Sequence, residues 1–203
     1  DPQTNGEVNR SNARYTLGYA HLDTEGYRQA LGFLEQVTRT ISATSVNVHQ
    51  DAYLRTADAH FMNKNFSQAL HMYETVMRLG TAGADYALFQ KAIIAGASNR
   101  QPEKISLLNG LEQRYPGSNL IADAQLEVAN TYLGDEKFLE AIDPLTRLLK
   151  NPQGESLYPQ AYLKLGVAYF NLSDNTKALD NFRQLVSAYP NSSQSEDAIE
   201  YIR

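Results

Sequence analysis

The chain has 203 residues, of which 18 are Lys or Arg and 23 are Asp or Glu, so its formal net charge is −5. Mild acidity disfavours nucleic-acid binding, which requires clustered Lys and Arg. No apolar run approaches the roughly 18–20 residues that span a bilayer. The absence of Cys excludes disulfides, thiolate zinc sites and a Cys nucleophile, and it is compatible with an oxidising compartment.

The first predicted segment is a polar leader over residues 1–10, which opens with Asp1-Pro2-Gln3-Thr4-Asn5-Gly6. It has no signal-peptide pattern and does not begin with Met, and the chain stops inside a helical pattern. These features favour a processed or excised piece of a longer protein. An address tag or lipid anchor would then have been lost with the missing ends.

Residues 11–192 repeat, in units near 11–44, 50–83, 85–118, 122–155 and 159–192. Identical residues stand 37 positions apart in the pairs Ala124/Ala161, Leu126/Leu163, Tyr132/Tyr169, Ala141/Ala178, Asp143/Asp180 and Leu148/Leu185. Residues 193–203 are predicted to begin a further helix. The surplus residues of the longer units are expected in two connections, Thr40–Val48 and Pro152–Pro159.

Each unit is predicted to form two helices joined by a turn. In the last full unit, Tyr162, Leu165 and Tyr169 recur at helical spacing, and Ser173-Asp174-Asn175 supplies turn-forming side chains. A second helix follows, and Pro190 ends it because proline cannot donate to the helical ladder. Its buried face is predicted to carry Ala178, Phe182 and Leu185.

This order of residues resembles the tetratricopeptide repeat (TPR). The resemblance implies an all-α fold, a right-handed α-solenoid of about five helix-turn-helix repeats plus a partial sixth. The third unit departs from the pattern, since Lys104 stands where its second helix should carry Ala. Small residues are expected where paired helices cross closely, namely Gly18, Ala57, Ala92, Ala129 and Gly166.

No arrangement of residues indicates catalysis. The four His residues stand at least 11 positions apart, unlike the close pairs of helical zinc sites, and His21 and His60 occupy the place of core aromatics. No nucleophile elbow or phosphate loop is present, and Asp51, Asp58 and Asp123 are predicted to lie on solvated faces. We therefore expect neither an enzyme, a cofactor nor a metal site.

The TPR resemblance implies a concave groove lined by the first helices. The positions that it assigns to the groove are Tyr15, Tyr19, Leu22, Leu54, Asp58, Phe61, Phe89, Ile93, Leu126, Asn130, Leu163, Val167 and Phe170. Only Asn130 matches the Lys and Asn residues of carboxylate-gripping TPR domains, so a carboxylate clamp is not expected. An apolar groove suits an amphipathic helix or apolar peptide, although the chain itself could instead cover these residues as core.

The sequence therefore predicts a non-catalytic scaffold that binds a protein or peptide partner. Tyr115-Pro116-Gly117-Ser118 and Tyr189-Pro190-Asn191-Ser192 also resemble bacterial cell-envelope TPR proteins, such as the periplasmic partner of the Tol-Pal system and the lipoproteins of outer-membrane protein assembly. That resemblance favours a periplasmic or outer-membrane-associated location. Two alternatives stay open: a sensor segment of a larger cytosolic regulator, and a homo-oligomer paired through an apolar face at Ala198, Ile199 and Ile202.

Overall fold

A computed structural model describes residues 2–24, 26–40 and 47–203, and describes the side chains of residues 10–24, 26–39 and 51–203. These residues form eleven α-helices and a short 3₁₀ helix, and they contain no β-strand. The all-α fold is confirmed. The α-helices are α1 Pro2–Asp23, α2 Tyr27–Thr40, α3 Asn47–Met62, α4 Phe66–Leu79, α5 Ala84–Ala97, α6 Gln101–Arg114, α7 Ile121–Gly134, α8 Phe138–Leu148, α9 Tyr158–Asn171, α10 Asn175–Ala188 and α11 Ser193–Ile202.

The helices follow the predicted repeats, with one difference at the N-terminus. Ten of them fall two to each predicted unit, and α11 lies where a further helix was expected. α1 begins at Pro2 and so includes residues 2–10 of the predicted polar leader. Proline is compatible with a first helical position, where no backbone N–H is needed.

The turns inside the repeats share one backbone geometry. Lys64, Asn99, Glu136 and Ser173 adopt positive φ angles of 61°, 57°, 56° and 61°. In three of these turns the next residue donates a backbone hydrogen bond to the carbonyl five residues earlier: Asn65 to His60 at 2.8 Å, Lys137 to Tyr132 at 2.8 Å, and Asp174 to Tyr169 at 2.9 Å. This left-handed ending satisfies carbonyls that the helix leaves unpaired.

The chain divides into two compact units, Asp1–Ser98 and Asn99–Arg203. The boundary falls between α5 and α6, inside the third predicted repeat. That is the repeat in which Lys104 replaces the expected small residue. The Lys104 ammonium lies 2.8 Å from a carboxylate oxygen of Glu127 on α7, with only 14% of the side chain exposed.

In the first unit, α1 to α5 pack each against the next helix in the chain. A Cβ on Gly18 would lie 2.6 Å from Cγ of Leu34 on α2, so these helices approach too closely for a larger residue. Ala57 and Ala92 are fully buried, as expected for crossing residues. The second helices contribute large buried side chains, among them Leu34, Val37, Tyr73 and Val76.

In the second unit, α6 to α11 also pack in chain order. A Cβ on Gly166 would lie 2.3 Å from Cε1 of Phe182 on α10, and Ala129 is fully buried. The expected connection Pro152–Pro159 is largely a 3₁₀ helix, Pro152–Leu157, which packs against α7 and α9. The other connection, Thr40–Val48, lies mostly outside the described residues.

Candidate partner-binding site

In the first unit, three predicted lining residues belong to a polar network centred on Arg55. Its guanidinium lies 3.3 Å from Asp51 Oδ2 and 2.9 Å from Asp58 Oδ2, and it sits 5.7 Å from the centre of the Tyr19 ring. The Tyr15 hydroxyl donates a hydrogen bond to Asp51. We call Tyr15, Tyr19, Asp51, Arg55, Asp58, Tyr73 and Tyr86 the Arg55 network.

Asp58 is half-buried and lies between Arg55 and Tyr73 of this network. The Tyr73 hydroxyl donates to Asp58 Oδ1 at 2.7 Å, and the Asp58 side chain is 16% exposed. Burial raises the pKa of Asp58, although Tyr73, Arg55 and Tyr86 all hydrogen-bond to its carboxylate. Burial and the nearby Asp58 raise the pKa of Tyr86 to about 12.

The prediction that the three Asp residues lie on solvated faces is wrong for Asp58. The side chain of Tyr73 from α4 meets this carboxylate, and hydrogen bonds replace the water that a buried carboxylate loses. Asp51 and Asp123 are half-buried. Burial raises the pKa of Asp123 as well.

Two predicted lining residues lie in the core and offer little surface to a partner. Leu54 is 5% exposed and Leu126 is 8% exposed. Leu54 fills the space beside Gly83, where a Cβ would lie 2.8 Å from Cδ2 of Leu54. Leu126 packs in the cluster that includes Leu145 and Leu165. Half-buried positions are Leu22, Phe61, Phe89, Ile93 and Asn130.

In the second unit, the structure brings three predicted lining residues together beside α11. Leu163 and Val167 of α9 line a cavity of about 410 Å³ together with Asp197, Glu200 and Tyr201 of α11. Phe170, one turn further along α9, is 52% exposed, and its ring centre lies 5.6 Å from that of Tyr201. We call these six residues the α9–α11 face.

Tyr201 connects this face to the core of the second unit. Its ring stacks on Phe182 with centres 4.8 Å apart and planes 15° apart, and Phe182 is 1% exposed. Tyr201 itself is 42% exposed. One side of the ring is therefore held against buried structure while other atoms remain available to a partner.

The apolar face predicted on the last helix is largely covered. Ala198 is fully buried and Ile202 is half-buried against the α10 cluster, while Ile199 is 37% exposed. The prediction is wrong for Ala198 because α11 packs against both α9 and α10. The exposed apolar surface of α11 lies instead at Ile199 and Tyr201.

Asp58 was among the predicted lining residues, whereas Arg55 in the first unit and Asp197 and Glu200 in the second were not predicted. Arg55 follows Asp51 by four residues and precedes Asp58 by three, and this spacing places all three side chains on one helix face. That signal was available in the sequence. Asp197 and Glu200 had no comparable signal, because their importance depends on α11 lying beside α9.

His21 and His60 behave as packing residues, whereas His71 is exposed. His60 is 6% exposed, and its ring lies 3.4 Å from Glu35, while burial lowers its pKa. His21 stacks on Phe33 with ring centres 5.6 Å apart. Within residues 10–24, 26–39 and 51–203, no group of three potential ligands is placed to hold a metal ion.

None of the described helices is both long and apolar enough to cross a membrane.

The helix pairs, small crossing residues and repeated left-handed turns define a TPR-like helical-repeat protein. The fold is similar to that of YrrB, described as a TPR protein with an unusual peptide-binding site, with a TM-score of 0.65, 14% identity and coverage of 98% of this chain and 97% of YrrB. It is also similar to MamA from Desulfovibrio magneticus RS-1, with a TM-score of 0.69, 14% identity and coverage of 91% and 97%. At these identities the likeness shows the fold.

The family is given by a second comparison. The family model described as YfiO, outer membrane lipoprotein, matches residues 81–203, and the chain belongs to this family. The chain is also 24% identical over 200 residues to the outer membrane protein assembly factor BamD of Caulobacter vibrioides. The match covers 87% of this chain and 65% of the length of that relative.

Proposed function

We propose that this chain is a non-catalytic TPR scaffold of a bacterial cell envelope. It binds a protein partner through surfaces formed by the first helix of each repeat. The α9–α11 face carries the proposal, because it combines predicted lining residues with a cavity and exposed aromatic rings. Membership of the outer membrane lipoprotein family and the match to an outer membrane protein assembly factor support the envelope setting.

The α9–α11 face has the features of a binding surface. Leu163 and Val167 provide an apolar floor, and Phe170 and Tyr201 stand at its edge, 52% and 42% exposed. Large, rigid aromatic side chains give up little conformational entropy on binding and dominate many interfaces. Each Å² of apolar surface that a partner covers contributes about 25 cal/mol before ordering costs.

The first unit contributes a more polar surface to the proposal. Tyr19 is 41% exposed and lies beside Arg55. The Arg55 network joins side chains of α1 and α3 by charge-assisted hydrogen bonds, which hold such a surface in one arrangement. We retain Tyr15 and Tyr19 as partner-facing residues, with Asp58, Phe61, Phe89 and Ile93 as half-buried neighbours.

The proposal is tested by placing one charge on the face and the same charge elsewhere. Phe170→Glu introduces a carboxylate on the α9–α11 face, and Leu139→Glu introduces one at a 67% exposed position of α8. The native protein and both variants are used to capture partners from an envelope extract of the source bacterium, and the captured proteins are quantified by mass spectrometry. We expect Phe170→Glu to lose a defined set of partners that the native protein and Leu139→Glu retain.

Equal capture by all three proteins would contradict the proposal. Circular dichroism of each variant establishes that the fold is intact before capture is compared. Light scattering over a concentration series shows whether a second copy of the chain is among the bound species.

A further inference from the structure

We infer that the partner segment seated on the α9–α11 face is basic as well as apolar: an amphipathic helix whose apolar side chains enter the cavity and whose Lys or Arg residues pair with Asp197 and Glu200. This inference rests on the proposed function and gives the partner its chemistry. Two carboxylates border the cavity of about 410 Å³, and the lining residues that the structure describes include no Lys or Arg.

The charges of this face are not satisfied by strong internal pairs. Asp197 forms no ion pair within the described part of the chain. Glu200 lies 3.0 Å from Arg203, but these side chains are 70% and 72% exposed. Such an exposed surface pair contributes little net free energy. A cation from a partner can therefore replace Arg203 at small cost.

The apolar floor and the acidic edge lie on different helices of the same cavity. Leu163 and Val167 come from α9, whereas both carboxylates and Tyr201 come from α11. A helix with apolar residues at i, i+3 and i+4 presents flanking residues on either side of its apolar stripe. Basic residues at those flanks would face the carboxylates of α11. The Tyr201 ring also offers a cation a π surface.

The preference for a basic over a neutral partner should be measurable, because Asp197 and Glu200 would each pair with a cation of the partner. Two exposed pairs of this kind together favour a basic over a neutral partner by roughly tenfold. They also accelerate association at low salt. Any amphipathic helix would make the same apolar contacts. The difference in affinity between basic and acidic helices therefore tests this inference.

The test uses two fluorescent peptides with the same Leu pattern, one carrying Lys and the other Glu at all remaining positions. Binding to the full chain is followed by fluorescence anisotropy. We expect the Lys peptide to bind at least tenfold more tightly than the Glu peptide. We also expect Asp197→Lys with Glu200→Lys to remove or reverse that preference. Raising the ionic strength from about 0.15 M to about 1 M should weaken binding of the Lys peptide.

A matched variant separates this face from the negative charge of the whole chain. Glu140→Lys with Asp180→Lys changes the net charge by the same amount at exposed residues outside both the cavity lining and α11, and we expect it to keep most of the preference. The isosteric pair Asp197→Asn with Glu200→Gln provides a second variant if charge reversal perturbs α11. We expect it to reduce the preference at least threefold.

Equal loss in the two Lys double variants would overturn the inference, because bulk charge would then explain the binding. Failure of the Lys peptide to bind, or equal binding of both peptides, would overturn it too. None of these outcomes contradicts the proposed function, which is tested separately by the capture experiment with Phe170→Glu. If Phe170→Glu removes native partners while the peptides show no charge preference, the face binds a partner of other chemistry.

Discussion

Replacing Gly166 with Ala tests the close helix crossing that supports the α9–α11 face. An added Cβ would lie 2.3, 2.6 and 2.7 Å from three ring carbons of Phe182. Real Cβ contacts essentially never fall below 3.0 Å, so the ring or one of the helices must move. Phe182 is 1% exposed and stacks on Tyr201, which leaves the ring little room to rotate away.

Two opposing effects determine how much Gly166→Ala changes the free energy of unfolding. Overpacking of a core by one methyl group costs about 1–3 kcal/mol, whereas replacing a helical Gly by Ala gains about 0.5–1 kcal/mol. We therefore expect Gly166→Ala to lower the free energy of unfolding by about 1–2 kcal/mol. Gly110→Ala is the matched control in α6, because no neighbouring atom lies within 4 Å of its added Cβ. It should stabilise by about 0.5–1 kcal/mol.

The assay is urea denaturation of the full chain, followed by circular dichroism. A double-mutant cycle attributes the cost to one contact: in a Phe182→Leu background, Gly166→Ala should cost little or become stabilising. If Gly166→Ala stabilises the chain as much as Gly110→Ala does, the close packing of α9 on α10 is wrong. An unchanged cost in the Phe182→Leu background would assign the strain to another neighbour.

Three further predictions concern the first unit and the turns. Asp58→Ala should lower the free energy of unfolding by about 3 kcal/mol, because the buried Tyr73 hydroxyl loses its 2.7 Å acceptor. Glu74→Ala, which removes a surface ion-pair partner that is 47% exposed, should cost less than about 1 kcal/mol in the same denaturation assay. Burial lowers the pKa of His60, so below its ordinary value of 6.5 the unfolded chain takes up a proton that the folded chain resists. The free energy of unfolding should therefore be highest above that pH and should fall as the pH decreases, by at most about 1.4 kcal/mol per pH unit. In urea denaturation series at several pH values, His60→Phe should flatten this pH dependence. Glu136→Gly should raise stability by about 0.5–1 kcal/mol, because Glu136 holds a φ of 56° that suits glycine.

Each of these predictions has an outcome that contradicts it. Similar losses for Asp58→Ala and Glu74→Ala would show that the Arg55 network is an exposed surface feature. A His60→Phe protein with an unchanged pH dependence between about pH 7.5 and 5.5 would assign that dependence to other groups. Destabilisation by Glu136→Gly would mean that side-chain contacts of Glu136 outweigh the backbone strain.

Local patterns in the sequence were sufficient to predict the helical repeats. Helix positions and crossing residues depend on neighbours a few residues apart and on a period that recurs along the chain. Gly18 and Gly166 could therefore be recognised as crossing residues from the sequence, and both face a large side chain of the following helix. His60 could likewise be placed as a core residue because it occupies the position of Tyr132 and Tyr169.

Only the tertiary structure decided which first-helix residues remain exposed. Leu54, Leu126 and Leu163 are apolar residues at equivalent repeat positions, yet Leu54 and Leu126 are buried, whereas Leu163 is half-buried and lines the α9–α11 cavity. Repeat spacing specifies the direction of a side chain on its helix, whereas exposure depends on what neighbouring segments place above it. For the same reason, the burial of Asp58 by a Tyr from α4 and the pairing of α11 carboxylates with the α9 cavity appear only when distant segments are brought together.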